Sequence, residues 1–288
     1  GVAEPPLERQ SQLIGVKCDG TMCRRMEQMR LRRSLFSGIL YANAKAKGLA
    51  IRLTRWTGKS QEYVHPKHLL PETEAWYWYL AYLNAGDRLL DIGCGHAMHL
   101  ARAARGAAGC VGVDHDPVAL GVGTRLCRAR GLTNVRLVCA DAEAGLPFVP
   151  QRFDTILCFD LLEHVQKRAA LLGEIRRVLR PGGRLLLAVP NRGTAWKGRL
   201  ERAGLCSFSD PDHQCEYSFP ELREELALAG FQIMATAPSV YDLPLVGFID
   251  LVGSLSLTLY RWLSAVRRRI AARYPTEQAG FYVVCVIR

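Results

Sequence analysis

Residues 88–95 read RLLDIGCG, and the fold of the chain can be worked out from this stretch. A short apolar run ends in Asp91, and two glycines, Gly93 and Gly95, follow at once. Glycine lets the backbone turn tightly and approach a ligand closely. A helix beginning just beyond would add free N–H groups. The segment therefore predicts a strand, a ligand-binding turn and a helix.

Apolar runs and helical patterns alternate from this point to the end of the chain. Strands are expected over residues 88–92, 110–113, 135–139, 153–159, 184–189, 231–235 and 281–287. Helices are expected over residues 97–107, 117–130, 161–179 and 219–229, with Pro181-Gly182-Gly183 ending the third. Continuous apolar strands that alternate with helices predict an α/β fold with a doubly wound, mostly parallel sheet.

An acidic residue, Asp114, ends the second predicted strand. In nucleotide-binding sheets an acidic residue at that place hydrogen-bonds the vicinal ribose hydroxyls. A dinucleotide fingerprint would need a third glycine where Met98 stands. The Asp91 carboxylate would also repel a pyrophosphate, whereas it can hold a cationic amino-acid group. The loop thus favours S-adenosylmethionine (SAM) over NAD.

Residues from about 87 to 191 resemble the class I SAM-dependent methyltransferases of the type 11 kind. The motifs that carry the resemblance are RLLDIGCG, VGVD, ADAE, FDTILCFDLLEHV and EIRRVLRPGGRLLLAVPN, in this order. The resemblance implies a Rossmann-like, seven-stranded, doubly wound sheet. It also implies SAM as the methyl donor and S-adenosylhomocysteine as the product.

The resemblance further implies which residues contact SAM. They are Asp91, Gly93 and Gly95 around the methionine part, Asp114 on the ribose, Asp141 with Ala142 at the adenine, and Asp160 near the transferred methyl group. Cys94 and His115 stand in the same loops and are included among the cofactor-binding residues. Two alternatives stay open: Asp114 as a helix N-cap and Asp141 as a turn residue.

Asp160, Glu163 and His164 form an acidic and imidazole cluster after the fourth strand. The run resembles that of the ubiquinone-biosynthesis O-methyltransferases, in which such a cluster is associated with a divalent metal. His164 could instead take a proton from an acceptor hydroxyl, or the cluster could serve only capping and packing. His213, in the polar segment 191–218, is the second candidate base; the alternative for it is a surface hydrogen-bonding role.

The charge of the chain is concentrated at its two ends. The net charge is +11, and residues 1–65 hold 12 basic and 5 acidic side chains. We expect a basic helical extension over 1–75, with a helical region at 22–56 broken near Gly48, and a catalytic domain over 76–288. Segments 191–218 and 241–274 are expected to be helical or lid-like insertions that bind the acceptor.

The segment 243–263 is the most apolar stretch, but Asp250 interrupts it, which argues against a membrane-spanning helix. The arginine run Arg267, Arg268 and Arg269 follows it. Two interpretations stay open for this segment. It is either a core or lid helix or a contact with an anionic membrane surface.

These features favour methyl transfer to a small-molecule or lipid-linked acceptor. Oxygen is the acceptor atom that we expect. A nucleic-acid acceptor, a non-catalytic SAM-binding protein and an NAD oxidoreductase are the alternatives. The loop Phe159-Asp160-Leu161-Leu162 lacks the Asn/Asp-Pro-Pro-aromatic signature of many nucleic-acid methyltransferases. The 10 cysteines contain no CxxC pair, so we expect free thiols and a cytoplasmic location, with no signal peptide visible.

Overall fold

A seven-stranded sheet lies at the centre of the computed structural model, which describes residues 20–56, 65–71 and 75–288. The strands are β1 (Arg88–Ile92), β2 (Gly109–Asp114), β3 (Val135–Cys139), β4 (Phe153–Phe159), β5 (Leu179–Pro190), β6 (Phe231–Ala237) and β7 (Gly280–Ile287). Their order is β3-β2-β1-β4-β5-β7-β6, with β7 antiparallel to both of its neighbours. The prediction of a mostly parallel, doubly wound sheet is confirmed.

Eight α-helices of the described residues flank or extend this sheet. They are α1 (Gly20–Trp56), α2 (Leu100–Ala103), α3 (Pro117–Ala129), α4 (Arg168–Val178), α5 (Ala195–Arg202), α6 (Phe219–Leu228), α7 (Val246–Leu255) and α8 (Leu257–Arg273). Successive residues of β4 enter opposite cores: Ile156 packs on one face of the sheet and Leu157 on the other. The strands are apolar throughout because helices cover both faces.

Two predicted helices are shorter than the sequence pattern indicates. The helix expected over 97–107 is reduced to α2, because Ala97 has a φ of +55° that no right-handed helix accepts. The helix expected over 161–179 is interrupted. A 3-10 turn at Leu162–His164 comes first, Val165 is extended, and α4 begins only at Arg168.

The expected break near Gly48 is wrong, because α1 is continuous from Gly20 to Trp56. Its C-terminal half packs along α7. The Asn43 Oδ1 accepts a hydrogen bond from the Gly247 N–H at 2.7 Å, and the Ser254 hydroxyl donates to the Ala50 carbonyl at 2.9 Å. This contact with α7 supports a continuous helix across Gly48, a residue that would weaken an isolated helix.

The N-terminal half of α1 lies beside a different element. Met29, Leu35 and Phe36 line a cavity of about 310 Å³ together with Arg199 and Arg202 of α5. The single helix α1 thus packs on one of the segments predicted as insertions, 241–274, and lines a cavity with the other, 191–218. Residues 1–19, the first part of the predicted basic extension, lie outside the described residues.

No helix among residues 20–56, 65–71 and 75–288 is both long enough and apolar enough to cross a membrane. The 243–263 stretch is divided between α7 and α8, with Ser256 as the N-cap of the second helix.

Candidate active site

The turn after β1 has the geometry that its glycines predict. Gly93 has a φ of +72° and Gly95 a φ of +49°, values that glycine adopts without strain. The N–H groups of Gly93 and Cys94 both donate to the Val113 carbonyl, at 2.8 and 3.1 Å. A side chain at Gly93 would also press against Leu161, whose Cδ1 lies 3.1 Å from the position of an added Cβ. The turn is therefore held tightly against β2 at the carboxyl edge of the sheet.

Asp91 is buried just before this turn. Burial, and then the nearby Asp114 carboxylate, raise its pKa to about 8. A cation placed beside the two carboxylates would lower this pKa, because it stabilises the ionised form of Asp91. The ammonium group of SAM is such a cation, so this pair of acidic side chains fits the cofactor.

Asp114 lies at the end of β2 and shapes the glycine turn directly. Its Oδ2 accepts a hydrogen bond from the Gly95 N–H at 2.7 Å, and its Oδ1 accepts one from the Asp116 N–H at 2.9 Å. Asp116, rather than Asp114, caps α3, through its side chain and the Val118 N–H. The N-cap alternative for Asp114 is therefore wrong.

The other residues predicted to contact SAM occupy different surroundings. Cys94 is buried, and its Sγ lies 2.7 Å from where a Cβ on Gly112 would stand, so its thiol packs beneath the turn. The side chain of His115 is 82% exposed. Asp141 is exposed, and its Oδ1 accepts a hydrogen bond from the Glu143 N–H at 2.9 Å. This contact is the turn role left open for Asp141, and Ala142 stands half-buried within the same turn.

Asp160 ends β4 with a φ of +51°, a conformation rare for residues other than glycine. Its side chain is 59% exposed, and its Oδ2 lies 3.5 Å from the Lys67 Nζ. Lys67 comes from a 3-10 turn, Pro66–Leu69, which we call the Lys67 turn. Nothing in the sequence around residue 67 indicated a site.

The fold brings together the two candidate bases from separate segments. The rings of His164 and His213 meet edge to face, with 4.6 Å between their centroids. The Glu163 carbonyl accepts a hydrogen bond from the Gln214 N–H at 2.7 Å, and this contact holds the 191–218 segment against the 3-10 turn.

Glu163, His164 and His213 form a group whose possible metal-ligating atoms all lie within 4.8 Å of one another. The sequence suggested Asp160 in place of His213. Asp160 is not in this group, and its carboxylate lies beside Lys67 instead. Burial, and then the nearby Asp160, raise the pKa of Glu163 to about 8. Its Oε2 is buried without a hydrogen-bond partner among the described residues.

A buried ion pair orients His213. Its Nδ1 lies 2.8 Å from the Glu216 Oε1, and the Glu216 Oε2 lies 2.6 Å from the Lys197 Nζ, with both side chains of that pair inaccessible to solvent. Burial alone would raise the pKa of Glu216, but the contacts with His213 and Lys197 lower it overall. Sequence reasoning missed Glu216 and Lys197, because only the tertiary fold shows which charged residues of a loop are buried.

The central part of the chain is similar to known methyltransferases. Residues 90–187 match the family model described as a methyltransferase domain. The ubiquinone biosynthesis O-methyltransferase of Methylococcus capsulatus is 33% identical over 108 residues, which are 38% of this chain and 45% of that protein. A probable S-adenosylmethionine-dependent methyltransferase of Mycolicibacterium smegmatis is 32% identical over 167 residues, 57% of this chain and 59% of that protein.

The chain thus spans about half the length of the curated relatives it matches. Among solved structures, a putative sarcosine dimethylglycine methyltransferase from Galdieria sulphuraria aligns with a TM-score of 0.52 and 16% identity, over 73% of this chain and 84% of that one. At this identity the alignment supports the fold.

Proposed function

From the premise that residues 90–187 form a class I SAM-dependent methyltransferase domain, we propose that this chain methylates an oxygen atom of a small-molecule or lipid-linked acceptor. The observation that carries the choice of oxygen is the pairing of His164 with His213 at 4.6 Å. An oxygen nucleophile gains reactivity when a positioned base removes its proton, and imidazole has a suitable pKa for this work.

SAM, when bound, supplies an electrophilic methyl group. In our proposal Asp91 binds the ammonium of its methionine part, and Gly93 and Gly95 let the backbone approach it. Asp114 receives the ribose hydroxyls on its remaining lone pairs, and Asp141 lies at the adenine. The chain's contribution to the reaction is to place the two reactants in line and to take up the proton.

His213 is the better oriented of the two bases. The Glu216 carboxylate at its Nδ1 fixes the ring, leaves Nε2 for the acceptor and stabilises the imidazolium formed when the proton arrives. The buried Lys197 holds that carboxylate in turn. His164 packs edge to face against the same ring and limits its rotation.

A large cavity at the same carboxyl edge supports an acceptor with an apolar part. Its volume is about 570 Å³, within the range of small-molecule sites. The lining comes from the end of β6, the start of α6 and the turn before β7, and includes Phe219, Pro238 and Phe281. Few of these side chains carry charge, so the cavity suits a hydrocarbon or ring system.

The outer face of α8 supports a contact with an anionic membrane, on the cytoplasmic side in our proposal. Leu259, Trp262 and Ile270 are exposed and recur at helical spacing along one side of α8. Arg269 and Arg273 are exposed on the same side. An exposed apolar stripe bordered by arginines complements the interface of an anionic bilayer. In this proposal residues 76–288 are the catalytic domain and residues 1–75 the basic extension.

The first test follows the methyl group. The purified protein is incubated with methyl-labelled SAM and a cell extract separated into lipid, small-metabolite and nucleic-acid fractions. We expect label in the lipid or metabolite fraction, and its loss with Asp91→Asn, which preserves the size of the side chain but removes the charge. Label that accumulates in nucleic acid would refute the proposed acceptor class.

Once the labelled product is known, histidine variants test whether a base assists methyl transfer to oxygen. His213→Gln is expected to reduce the rate by about 10²- to 10⁴-fold, the usual contribution of a general base. Binding of SAM, measured by calorimetry, should stay unchanged. If neither His213→Gln nor His164→Gln slows the reaction more than a few fold, base catalysis by this pair is excluded.

A further inference from the structure

The Lys67 turn is fixed to the rest of the molecule by its backbone. The Tyr77 hydroxyl donates to the Lys67 carbonyl at 2.6 Å and lies 3.2 Å from the Leu70 carbonyl. The His65 Nδ1 accepts a hydrogen bond from the Lys67 N–H at 3.1 Å, and the His65 Nε2 lies 3.1 Å from the Asp250 Oδ1 of α7. The turn is thus joined both to the start of the domain and to the insertion.

A third contact comes from α2. The Arg102 guanidinium donates to the His68 carbonyl and lies over the Tyr77 ring, 4.3 Å from its centroid. Three separate parts of the fold therefore hold a turn of four residues whose own hydrogen bonds are few. Such a precise attachment orders the backbone beneath one side chain, that of Lys67.

The Lys67 side chain lines a small cavity at the carboxyl end of β4. Trp78, Phe159 and Tyr282 give this cavity aromatic walls, and Trp78 stacks on Tyr282 with 5.4 Å between ring centroids. The cavity volume is about 20 Å³, room for one small polar group rather than for a whole ring. Asp160, the residue predicted to lie near the transferred methyl group, lines the same cavity.

Two hydrogen-bond donors of this cavity can be satisfied by an oxygen atom of a ligand. Lys67 can only donate hydrogen bonds, and so can the indole of Trp76. The Trp76 Nε1 and the His99 Nδ1 are both buried and have no hydrogen-bond partner among the described residues. The Trp76 indole is always a donor, and a buried donor without a partner carries a free-energy cost that a ligand oxygen would remove.

We infer that Lys67 forms an oxyanion subsite of the acceptor site: its ammonium receives a carboxylate or an ionised hydroxyl of the methyl acceptor. This inference rests on the proposed function and names the charge of the substrate. The Asp160 carboxylate lies 3.5 Å from the ammonium, beyond ordinary hydrogen-bond distance. An incoming oxygen can therefore approach Lys67 more closely than Asp160 does, while Asp160 keeps its contact with water.

The charges around the cavity are consistent with this subsite. Burial alone would lower the pKa of Lys67, but Asp160, Tyr282 and Asp250 raise it overall, so the ammonium stays charged. Burial, and then the neighbouring Lys67 and Arg102, lower the pKa of His99, which stays neutral. The cavity thus presents the Lys67 ammonium, with the Asp160 carboxylate on one side of it, beside the neutral indole N–H of Trp76 and the neutral ring of His99.

The test measures binding of two aromatic oxyanions by calorimetry, with the protein saturated in S-adenosylhomocysteine. Benzoate represents a carboxylate and 4-nitrophenol at pH 8 an ionised hydroxyl; benzamide is the neutral control of similar shape. We expect at least one oxyanion to bind about tenfold tighter than benzamide, the gain typical of a hydrogen bond to a charged group. Lys67→Met should remove this preference, and Lys67→Arg should retain it.

Lys45→Met, on the exposed side of α1, is the matched control and should change nothing. Equal binding of the oxyanions and benzamide, or a preference that survives Lys67→Met, would overturn the inference. Binding of S-adenosylhomocysteine to each variant is measured separately, so an unfolded protein is recognised. The proposed function itself is judged by the fate of the methyl label, and its failure would therefore be seen independently.

Discussion

Asp91 is buried beside a second carboxylate, and this arrangement links the affinity for SAM to pH. Its pKa of about 8 means that the SAM-free folded protein holds a proton that the unfolded chain releases near 3.8. Between these values the folded state binds more protons, so the free energy of unfolding of the SAM-free protein falls as pH rises. A bound ammonium lowers the pKa of Asp91, because it stabilises the ionised carboxylate.

We therefore predict that SAM binding releases a proton and tightens as pH rises from about 5.5 to 7, where an α-ammonium stays charged. The affinity should increase by up to about tenfold per pH unit if one proton is linked. Titration calorimetry in buffers of different ionisation enthalpy measures the released proton directly. Asp91→Asn should abolish both effects; a wild-type protein whose affinity is flat over this range would contradict the prediction.

Among individual residues, those of the loop after β1 could be predicted from the sequence, whereas the charged residues around Asp160 and His213 could not. Asp91, Gly93 and Asp114 lie within short motifs, where the backbone itself places each functional group. Lys67 meets Asp160 only through the fold, and Glu216 is distinguished by its burial beside Lys197. A solvated lysine or glutamate has the same sequence appearance as these two.

The close packing of α1 on α7 is the feature to test among the helices. A methyl group on Gly247 would lie 2.2 Å from the Asn43 carbonyl oxygen, so the two backbones would have to separate. We predict that Gly247→Ala lowers the free energy of unfolding by about 1–3 kcal/mol, the usual cost of overpacking. Chemical denaturation followed by circular dichroism measures the change.

Gly38→Ala is the matched control on α1, because an added Cβ there meets no atom within 4 Å. It should stabilise the helix by up to about 1 kcal/mol, since alanine has the higher helix propensity. Because the two glycine substitutions are expected to change the free energy of unfolding in opposite directions, they separate the effect of packing from that of helix propensity. Destabilisation by both variants would show that α1 depends on something other than this contact.

Periodicity predicted the order and type of the central elements, because strands buried on both faces must be apolar throughout. It failed at Gly48, where packing on α7 outweighs a poor local helix former. It also failed at Ala97 and Val165, whose backbone angles depart from the helix to shape the carboxyl edge of the sheet. Local propensity carries no information about such demands.

For the molecule as a whole, the exposed apolar and basic stripe of α8 is the surface that we expect to meet an anionic membrane. We predict binding to phosphatidylcholine vesicles that contain phosphatidylserine, at low salt, and loss of binding at high salt. Arg269→Ala should weaken binding about fivefold, the contribution of one basic residue near an anionic surface. Co-sedimentation measures the bound fraction.

Arg128→Ala removes an exposed arginine from α3, outside the stripe of α8, and should leave vesicle binding unchanged. Trp262→Ser should weaken vesicle binding by the same factor at low and at high salt, because it removes an apolar contact and not a charge. Equal recovery on neutral and anionic vesicles, unaffected by salt, would eliminate the electrostatic basis of this surface.

The continuity of α1 has a mechanical consequence. Its 37 residues form one helix of about 55 Å, at the usual rise of an α-helix. The N-terminal half of this helix lies beside α5 and the C-terminal half packs on α7, so one element joins two segments that are remote in sequence. We therefore expect a displacement of either segment to shift α1 and, with it, the other segment. The two segments proposed to bind the acceptor should then move together.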